Sequence, residues 1–373
     1  MNRNINNFLN LTPNVLAKII SSYSPQRIFL VHGKASYILC GAEKVFSKAL
    51  KLINIPYIEC FDFEDNPKWT DIQRNILMFK EQKNSLILGV GGGSVLDTAK
   101  LIRFFSSYSG TPVSGSYKKI EEVPPLLLFP TTAGSGSEAT HFAVCYVNNR
   151  KYSVIHNDIL PSESFIDYRF TLSASPYLTA CTGIDALSQA IESYWSNKST
   201  KESRKYAKEA IKLIFPSLQE CIISPTPKIR EKIAKGAHFS GKAINISFTT
   251  AAHAYSYGIT MHLNVPHGHA VACGLPFFFA KNLEVAENNC NDKRGVSFVK
   301  DRMYELCYLL GFNVQTAVDQ LKDYISNIFC NIKKIEKPDK DTWNSIISSV
   351  NIERLENNPT KIFQNPNIND FIW

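Results

Sequence analysis

The first half of the chain alternates short apolar runs with stretches of helical period. The predicted strands are residues 27–33, 56–63, 85–94 (running into a glycine loop) and 124–130. The predicted helices are residues 43–53, 70–82 and 95–106. Because such alternation is typical of a parallel sheet covered by helices, we predict an α/β domain over residues 1–170.

Beyond about residue 170 the apolar positions recur mainly with the helical period, and strand signals are nearly absent. The predicted helical stretches include residues 176–196, 202–222, 229–244 and 297–312. We therefore predict an all-helical second domain over residues 171–373. We expect a cleft between the two domains, which is a usual place for a ligand.

Composition restricts the possible functions. The 373 residues are 44% hydrophobic and 20% charged, as in soluble globular proteins. We expect no membrane association, and a cytoplasmic location, because no apolar run is long enough for a bilayer and residues 1–10 lack a signal-peptide core. The nine scattered cysteines fit reduced thiols better than disulfides or a zinc–cysteine site. The net charge of +8 permits an anionic substrate. The basic residues of the chain are interspersed with other residues and form no continuous stripe, so we expect no nucleic-acid binding.

Two loops that follow predicted strands suit phosphate or ribose. The first, "GVGGGSVLDTAK" (89–100), has Gly91, Gly92 and Gly93 before a helix that starts near Ser94, so backbone N–H groups can meet a phosphate. It is neither a GxGxxG fingerprint nor a P-loop, and a tight turn without ligand is the alternative. The second loop, "PTTAGSGSE" (130–138), offers hydroxyls and is otherwise a capped turn; these are Thr131, Thr132, Ser135 and Ser137. Both loops are expected at the carboxyl edge of the sheet.

A third pattern joins a carboxylate to histidines. Asp185 and Gln189 lie four residues apart on one face of an apolar helix, "TGIDALSQAIESYW" (182–195), and a buried carboxylate needs a partner. Four histidines follow within residues 251–270, namely His253, His262, His267 and His269. Imidazoles with a carboxylate suit zinc, iron or nickel. Spacing leaves open which histidines converge, and a lone histidine is more often an ordinary core or surface residue.

Four motifs together resemble the iron-containing (group III) alcohol dehydrogenases. "GGGSVLDTAK", "PTTAGSGSEAT", "TGIDALSQAIESYW" and "VPHGHAVACGLP" occur in that family's order, and the resemblance covers about residues 10–370. It implies a Rossmann-like dinucleotide-binding domain followed by a helical domain, as in the dehydroquinate synthase-like fold. It also implies NAD(P)-dependent interconversion of an alcohol and an aldehyde in the cleft between the domains.

The resemblance implies a divalent metal, Fe²⁺ or Zn²⁺, on four residues. These are Asp185, Gln189, His253 and His267. Gln189 stands where the family has a histidine and should hold the metal more weakly. Tyr257 stands where the family often has another histidine, so proton relay would use a phenol or water. The implied catalytic residues are His267, His253 and Tyr257; without metal, protonated His253 and His267 would polarise the carbonyl.

The same resemblance implies the cofactor residues. The pyrophosphate loop and its helix are matched by Gly91, Gly92, Gly93, Ser94 and Asp97. The loop facing the ribose is matched by Thr131, Thr132, Ser135 and Ser137, and Lys151 matches a lysine that contacts the nicotinamide ribose. At the end of the first strand, Gly33 beside Lys34 replaces an aspartate of NAD-preferring members. Because an aspartate repels a 2′-phosphate, we expect NADPH to be favoured over NADH.

Within the family, "TTAAHA" and "PHGHA" resemble the phosphonoacetaldehyde reductase branch. That resemblance implies reduction of phosphonoacetaldehyde to 2-hydroxyethylphosphonate. Candidate partners of the phosphonate are Arg150, Lys242 and His269, although Arg150 and Lys242 can equally be plain surface residues. Two alternatives stay open: another small alcohol or aldehyde as substrate, or a catalytically impaired cofactor-binding protein, which Gln189 and Tyr257 favour. A homodimer is possible from the resemblance.

Overall fold

The computed structural model describes residues 8–64, 66–82, 85–148, 150–330, 332–362 and 365–373. The chain forms two compact units. The first contains Met1–Thr132 and Gly136–Ala174, and the second contains Ala133–Ser135 and Ser175–Trp373. The change from one unit to the other at residues 174 and 175 lies close to the predicted boundary, except that three loop residues cluster with the second unit.

The first unit is built on a parallel sheet, as predicted. Its strands are β1 (Arg27–His32), β2 (Tyr57–Cys60), β3 (Ser85–Gly91), β4 (Tyr108–Ser109), β5 (Lys118–Lys119), β6 (Leu126–Pro130), β7 (Phe142–Val147), β8 (Arg150–Ile155) and β9 (Glu163–Ser164). Its helices are α1 (Pro13–Ser21), α2 (Lys34–Leu39), α3 (Ala42–Ile53), α4 (Trp69–Lys80) and α5 (Gly93–Ser107). The sheet has the order β2-β1-β3-β6-β9, and every neighbouring pair in it is parallel.

The central strands are apolar because helices cover both of their faces. All residues of β3 and β6 are buried, and alternate side chains enter two separate core clusters. Leu86 and Leu88 pack with α1 and α3, whereas Ile87 packs with α5. Gly91 at the end of β3 pairs with Pro130 at the end of β6, so the two loops that follow start side by side.

Some elements of this unit were not predicted. The antiparallel hairpin of β7 and β8 follows the second loop, and α1 and α2 flank β1. Both hairpin strands are only partly buried. Strand β8 mixes polar with apolar residues, which weakens its period, whereas β7 is an apolar run that sequence reasoning missed.

The second unit is helical over the part of it that the structure describes, apart from an isolated bridge between Cys290 and Thr360. Its helices are α6 (Pro176–Trp195), α7 (Lys201–Ile214), α8 (Leu218–Ile223), α9 (Pro227–Ser247), α10 (Ala251–Leu263), α11 (His267–Leu283), α12 (Val296–Leu310), α13 (Ala317–Phe329), α14 (Lys340–Ser348) and α15 (Ile352–Glu356). The fold class, a Rossmann-like α/β unit followed by an all-helical unit, is thus confirmed.

Helix α6 lies at the centre of the second unit. It packs against α7, α8, α9, α11 and α12, and every residue from Gly183 to Trp195 is buried. Its polar residues are therefore buried together with its apolar ones, which requires partners on the surrounding helices. None of the described helices is both long and apolar enough to cross a membrane.

Candidate active site

Three side chains of the second unit converge into a group that can hold a metal ion. The ligand atoms of Asp185, His253 and His267 all lie within 4.8 Å of one another. Asp185 and His253 are buried, whereas His267 is partly exposed. Of the four clustered histidines, His262 is exposed near the end of α10 and takes no part in this group.

Helix α6 presents Asp185, Gln189 and Glu192 at positions i, i+4 and i+7, which fall on one helical face. Asp185 Oδ1 lies 3.3 Å from His253 Nε2, while Asp185 Oδ2 accepts a hydrogen bond of 3.1 Å from the Gln189 amide. One face of α6 thus supplies a carboxylate of the ligand group and two residues that hold the group in place.

The Gln189 side chain is engaged at both ends of its amide. Its nitrogen donates to Asp185, and its oxygen accepts a hydrogen bond of 3.1 Å from Ser240. In this structure Gln189 therefore orients the Asp185 carboxylate, and its amide oxygen is turned towards Ser240. The ligand role that the sequence predicts for Gln189 stays a prediction.

Glu192 is a site residue that sequence reasoning missed. Its side chain is fully buried, and Oε1 accepts from Thr250 Oγ1 (2.8 Å) and from the backbone N–H groups of Thr250 (3.2 Å) and Ala252 (2.9 Å) at the start of α10. Its Oε2 pairs with Nδ1 of His253. Glu192 thereby fixes the ring so that Nε2 faces Asp185. A carboxylate that binds the other ring nitrogen is a usual partner of a metal-binding histidine. The sequence signal that could have found Glu192 is its position seven residues after Asp185, on the same face of the helix.

The charges of this buried group are coupled. Burial lowers the pKa of His253, but the carboxylates of Glu192 and Asp185 outweigh that effect and raise its pKa above the ordinary value. Burial conversely raises the pKa of Glu192, and the His253 charge with the hydrogen bonds lowers it overall. Two buried carboxylates therefore need positive charge between them.

A close helix contact brings His267 to this group. His267 is the first residue of α11, and a Cβ on the following Gly268 would lie 1.9 Å from the backbone oxygen of Cys181 on α6. Only glycine permits that approach. The His267 ring lies 5.4 Å from the His253 ring and stacks on Tyr257 at 5.5 Å with an interplanar angle of 17°. Burial raises the pKa of Tyr257, although nearby Arg354 opposes this effect.

In the first unit, the two predicted cofactor loops lie together at the carboxyl edge of the sheet. Helix α5 starts at Gly93 with Gly92 as its N-cap, which leaves the first-turn N–H groups of Gly93 and Ser94 directed outwards along the helix axis. A Cβ on Gly92 would lie 3.4 Å from the side chain of Thr132. Thr131, whose backbone N–H bonds to Gly91 oxygen at 2.9 Å, is buried, and Thr132 is partly exposed.

Asp97 and Ser137, which the resemblance assigns to the cofactor, bind each other. Ser137 Oγ donates to Asp97 Oδ1 at 2.5 Å, and Asp97 Oδ2 accepts from the Val144 N–H at 2.9 Å. The fully buried Lys100, another residue that sequence reasoning missed, donates to the oxygens of Ser137 (2.8 Å) and Phe142 (2.6 Å). These contacts fasten the second loop to α5, so Asp97, Ser137 and Lys100 help to fix the conformation of that loop.

Three other predicted cofactor residues lie outside these two loops in sequence, namely Gly33, Lys34 and Lys151, whereas Ser135 belongs to the second loop. Gly33 is the N-cap of α2, and Lys34 forms an exposed ion pair with Asp62 at 3.2 Å. Lys151 is partly buried on β8, opposite Tyr146 of β7. Ser135 belongs to the segment Ala133–Ser135 that clusters with the second unit.

The three predicted phosphonate partners lie on separate elements, namely β8, α9 and α11. Arg150 is exposed on β8 of the first unit, and Lys242 lies 4.8 Å above the ring of Tyr206. His269 is buried and stacks on Phe329 at 3.7 Å, and burial together with Lys333 lowers its pKa to about 4. His269 is therefore neutral near pH 7 and a poor partner for an anion.

Family models match most of the chain in two segments. Residues 12–168 match the model of iron-containing alcohol dehydrogenase, and residues 179–340 match that of the Fe-containing alcohol dehydrogenase family, C-terminal. The chain belongs to the iron-containing alcohol dehydrogenase family. The Asp185, His253 and His267 group lies inside the second matched segment, and both glycine and hydroxyl loops lie inside the first.

The names of proteins that are similar to this chain refer to different substrates. The long-chain-alcohol dehydrogenase 1 of Geobacillus thermodenitrificans is 32% identical over 211 residues, which are 55% of this chain and 53% of that protein. The phosphonoacetaldehyde reductase of Streptomyces viridochromogenes is 28% identical over 288 residues, which are 74% of this chain and 72% of that protein. The chain thus matches only about half the length of the first of these relatives.

A solved structure shows the same fold. The sulfoacetaldehyde reductase of Bifidobacterium kashiwanohense in complex with NAD⁺ superposes with a TM-score of 0.81 at 23% identity, covering 95% of this chain and 92% of that one.

The donors of the ligand group fit the metal that this family's name implies. One carboxylate and two imidazoles suit iron(II) or zinc, and a divalent cation supplies the positive charge that buried Asp185 and Glu192 require.

Proposed function

We propose that this protein is a metal-dependent, NAD(P)H-linked reductase of a short anionic aldehyde, with phosphonoacetaldehyde as the leading candidate and 2-hydroxyethylphosphonate as its product. The observation that carries the proposal is the convergence of Asp185, His253 and His267 in a family of alcohol dehydrogenases. The similarity to a phosphonoacetaldehyde reductase over 74% of the chain supports the choice of substrate.

In the proposed reaction, Asp185, His253 and His267 hold the divalent cation, with Gln189 as a further candidate ligand. When bound, such a cation acts as a Lewis acid on a carbonyl group. Glu192 keeps Nε2 of His253 directed at the group by accepting from Nδ1. The buried apolar residues of α6 around Asp185 exclude water, which strengthens these interactions.

The chemical step moves a hydride and a proton. A hydride leaves C4 of the reduced nicotinamide and forms a C–H bond at the carbonyl carbon, while the carbonyl π electrons move onto oxygen. That oxygen then takes a proton from the Tyr257 phenol or the His267 imidazole, whose rings are in contact. The products are the primary alcohol and oxidised cofactor.

The cofactor is proposed to bind in the first unit. The N–H groups at the start of α5 face the pyrophosphate, and Thr131, Thr132 and Lys151 contribute polar contacts. We propose that NADPH is used in preference to NADH because Gly33 puts no carboxylate beside a 2′-phosphate. The ion pair of Lys34 with Asp62 reduces the attraction that Lys34 offers. The ratio of kcat/KM for the two cofactors tests this preference, and a clear preference for NADH would contradict it.

The substrate proposal is tested by the loss of reduced-nicotinamide absorbance with phosphonoacetaldehyde, with acetaldehyde and with neither. We expect phosphonoacetaldehyde to give the highest kcat/KM. Faster turnover of acetaldehyde would instead favour a dehydrogenase of another small alcohol. A protein that binds reduced nicotinamide but turns over neither aldehyde would be the impaired cofactor-binding protein. A homodimer and a cytoplasmic location stay predictions.

A further inference from the structure

We propose that Arg354 of α15 binds the anionic end of the substrate, so that the enzyme selects short aldehydes that carry a tetrahedral oxyanion such as a phosphonate. This inference rests on the proposed function. It differs from the sequence-based expectation, which placed the anion on Arg150, Lys242 or His269.

Arg354 and His267 of the ligand group both lie against the ring of Tyr257. Its guanidinium carbon is 6.0 Å from the centre of the Tyr257 ring, and that ring stacks on His267 at 5.5 Å. His267, Tyr257 and Arg354 are all partly exposed, whereas Asp185 and His253 are buried. These three side chains are therefore in part accessible to solvent, as a residue that meets a substrate must be.

The segment that carries Arg354 is fastened to α10 before Arg354. A Cβ on Gly258 of α10 would lie 2.9 Å from the backbone oxygen of Ile346 and 2.3 Å from Ser349 Oγ, so α14 packs very closely there. The Asn351 N–H donates to the Ala254 oxygen at 3.3 Å, and Asn351 Oδ1 accepts from the Arg354 N–H at 2.9 Å.

The segment is fastened after Arg354 as well. The Asn357 amide donates to the backbone oxygens of Ser247 (2.8 Å) and Thr249 (3.0 Å), just before α10. The Arg354 guanidinium itself donates to Thr249 Oγ1. Arg354 is thus held by contacts on both sides and presents its charge at a defined place beside Tyr257, which is what selective recognition of a small anion requires.

The chemistry of the side chain suits this ligand. A guanidinium is charged at every accessible pH and offers a planar fork of donors that matches a phosphonate better than a point charge does. A two-carbon aldehyde is short, so its anionic end has to meet a cation close to the ligand group, and Arg354 and His267 both lie against the ring of Tyr257. The match to the family model ends at residue 340, so Arg354 belongs to a part of the chain outside that shared pattern.

The experiment compares Arg354→Met, Arg354→Lys and the matched control Lys340→Met, which removes a positive charge from an exposed position of the same C-terminal segment. For each metal-loaded enzyme, kcat/KM is measured with phosphonoacetaldehyde and with neutral propanal. The Kd of 2-hydroxyethylphosphonate is measured by calorimetry. Because a charge-assisted hydrogen bond is lost, we expect Arg354→Met to lower the ratio of the two kcat/KM values about 10- to 100-fold and to raise the Kd by a similar factor.

Arg354→Lys should give an intermediate ratio, and Lys340→Met should keep the wild-type ratio. An unchanged ratio and Kd in Arg354→Met would overturn the inference while leaving the reductase proposal intact. If the wild type reduces neither aldehyde, the proposed function fails. In that case the calorimetric Kd still decides whether Arg354 binds the oxyanion.

Discussion

At the scale of single residues, Gln189 affects how tightly the ligand group can bind a metal ion. Its amide bonds to Asp185 and Ser240, so the side chain stabilises the carboxylate without adding a charge or an imidazole. An amide is a weaker ligand for iron or zinc than an imidazole. Three strong ligands then leave the cation more weakly bound than four would.

We predict that Gln189→His tightens metal binding about ten-fold or more, because an imidazole replaces the amide next to Asp185. Chelator competition with Zn²⁺ or Fe²⁺ measures the change. The variant Ser188→Ala, at the neighbouring position whose hydroxyl donates to the Ile184 oxygen, should leave the affinity unchanged. Equal affinity in Gln189→His and the wild type would argue against this geometry of the site.

Lys100 gives a prediction about pH. Burial lowers its pKa to about 8, against the raising effects of Asp97 and Glu138. Between about pH 8 and 10.5 the unfolded chain therefore binds more protons at this residue than the folded protein, so this residue's contribution to the free energy of unfolding increases with pH there.

Urea unfolding of the wild type and of Lys100→Met, followed from pH 7.5 to 10.5, tests that sign. The stability of the wild type relative to the variant should rise by about 1–3 kcal/mol over this range. Lys100→Gln provides a second reference that also lacks the titrating group. A difference that stays flat or falls with pH would show that the amine is not held as the structure has it.

At the scale of elements, α6 and α10 act as one assembly through Glu192. The residue accepts hydrogen bonds at the start of α10 and pairs with His253 in the first turn of that helix. The same carboxylate thus caps a helix and orients a metal-binding ring. This explains why a helix as apolar as α6 keeps a charged residue that is fully buried.

We predict that Glu192→Gln lowers metal affinity and kcat/KM about 10- to 100-fold, because the His253 ring loses its fixed orientation. Metal titration and steady-state kinetics measure these effects, with circular dichroism to check folding. Glu305→Gln is the matched control, since Glu305 bonds to Tyr194 at 2.6 Å and is half-exposed. The idea fails if both variants bind metal as the wild type does.

At the scale of the whole molecule, the order of strands and helices followed from the hydrophobic pattern. Strands β1, β3 and β6 are short apolar runs bounded by polar or glycine residues, and they were predicted within a few residues. The hairpin of β7 and β8 was missed although β7 is an apolar run, and its partner β8 mixes polar with apolar residues and so has a weaker strand signal. Asp185 and His267 stand in motifs, and Glu192 lies on the same helix face as Asp185. The contacts of Glu192 with His253 and of Arg354 with Tyr257 join segments that are far apart in sequence, so the sequence alone did not reveal them.

In the proposed reaction, Asp185, His253 and His267 hold a divalent cation that aldehyde reduction needs. The most direct test is the metal content and phosphonoacetaldehyde reductase rate of one preparation as purified, after chelation, and after re-addition of Fe²⁺ or Zn²⁺. We predict one ion per chain in the purified protein. Removing the ion should abolish the activity, and adding it back should restore the activity in the wild type but not in Asp185→Asn. Full activity in the metal-free enzyme would contradict the account.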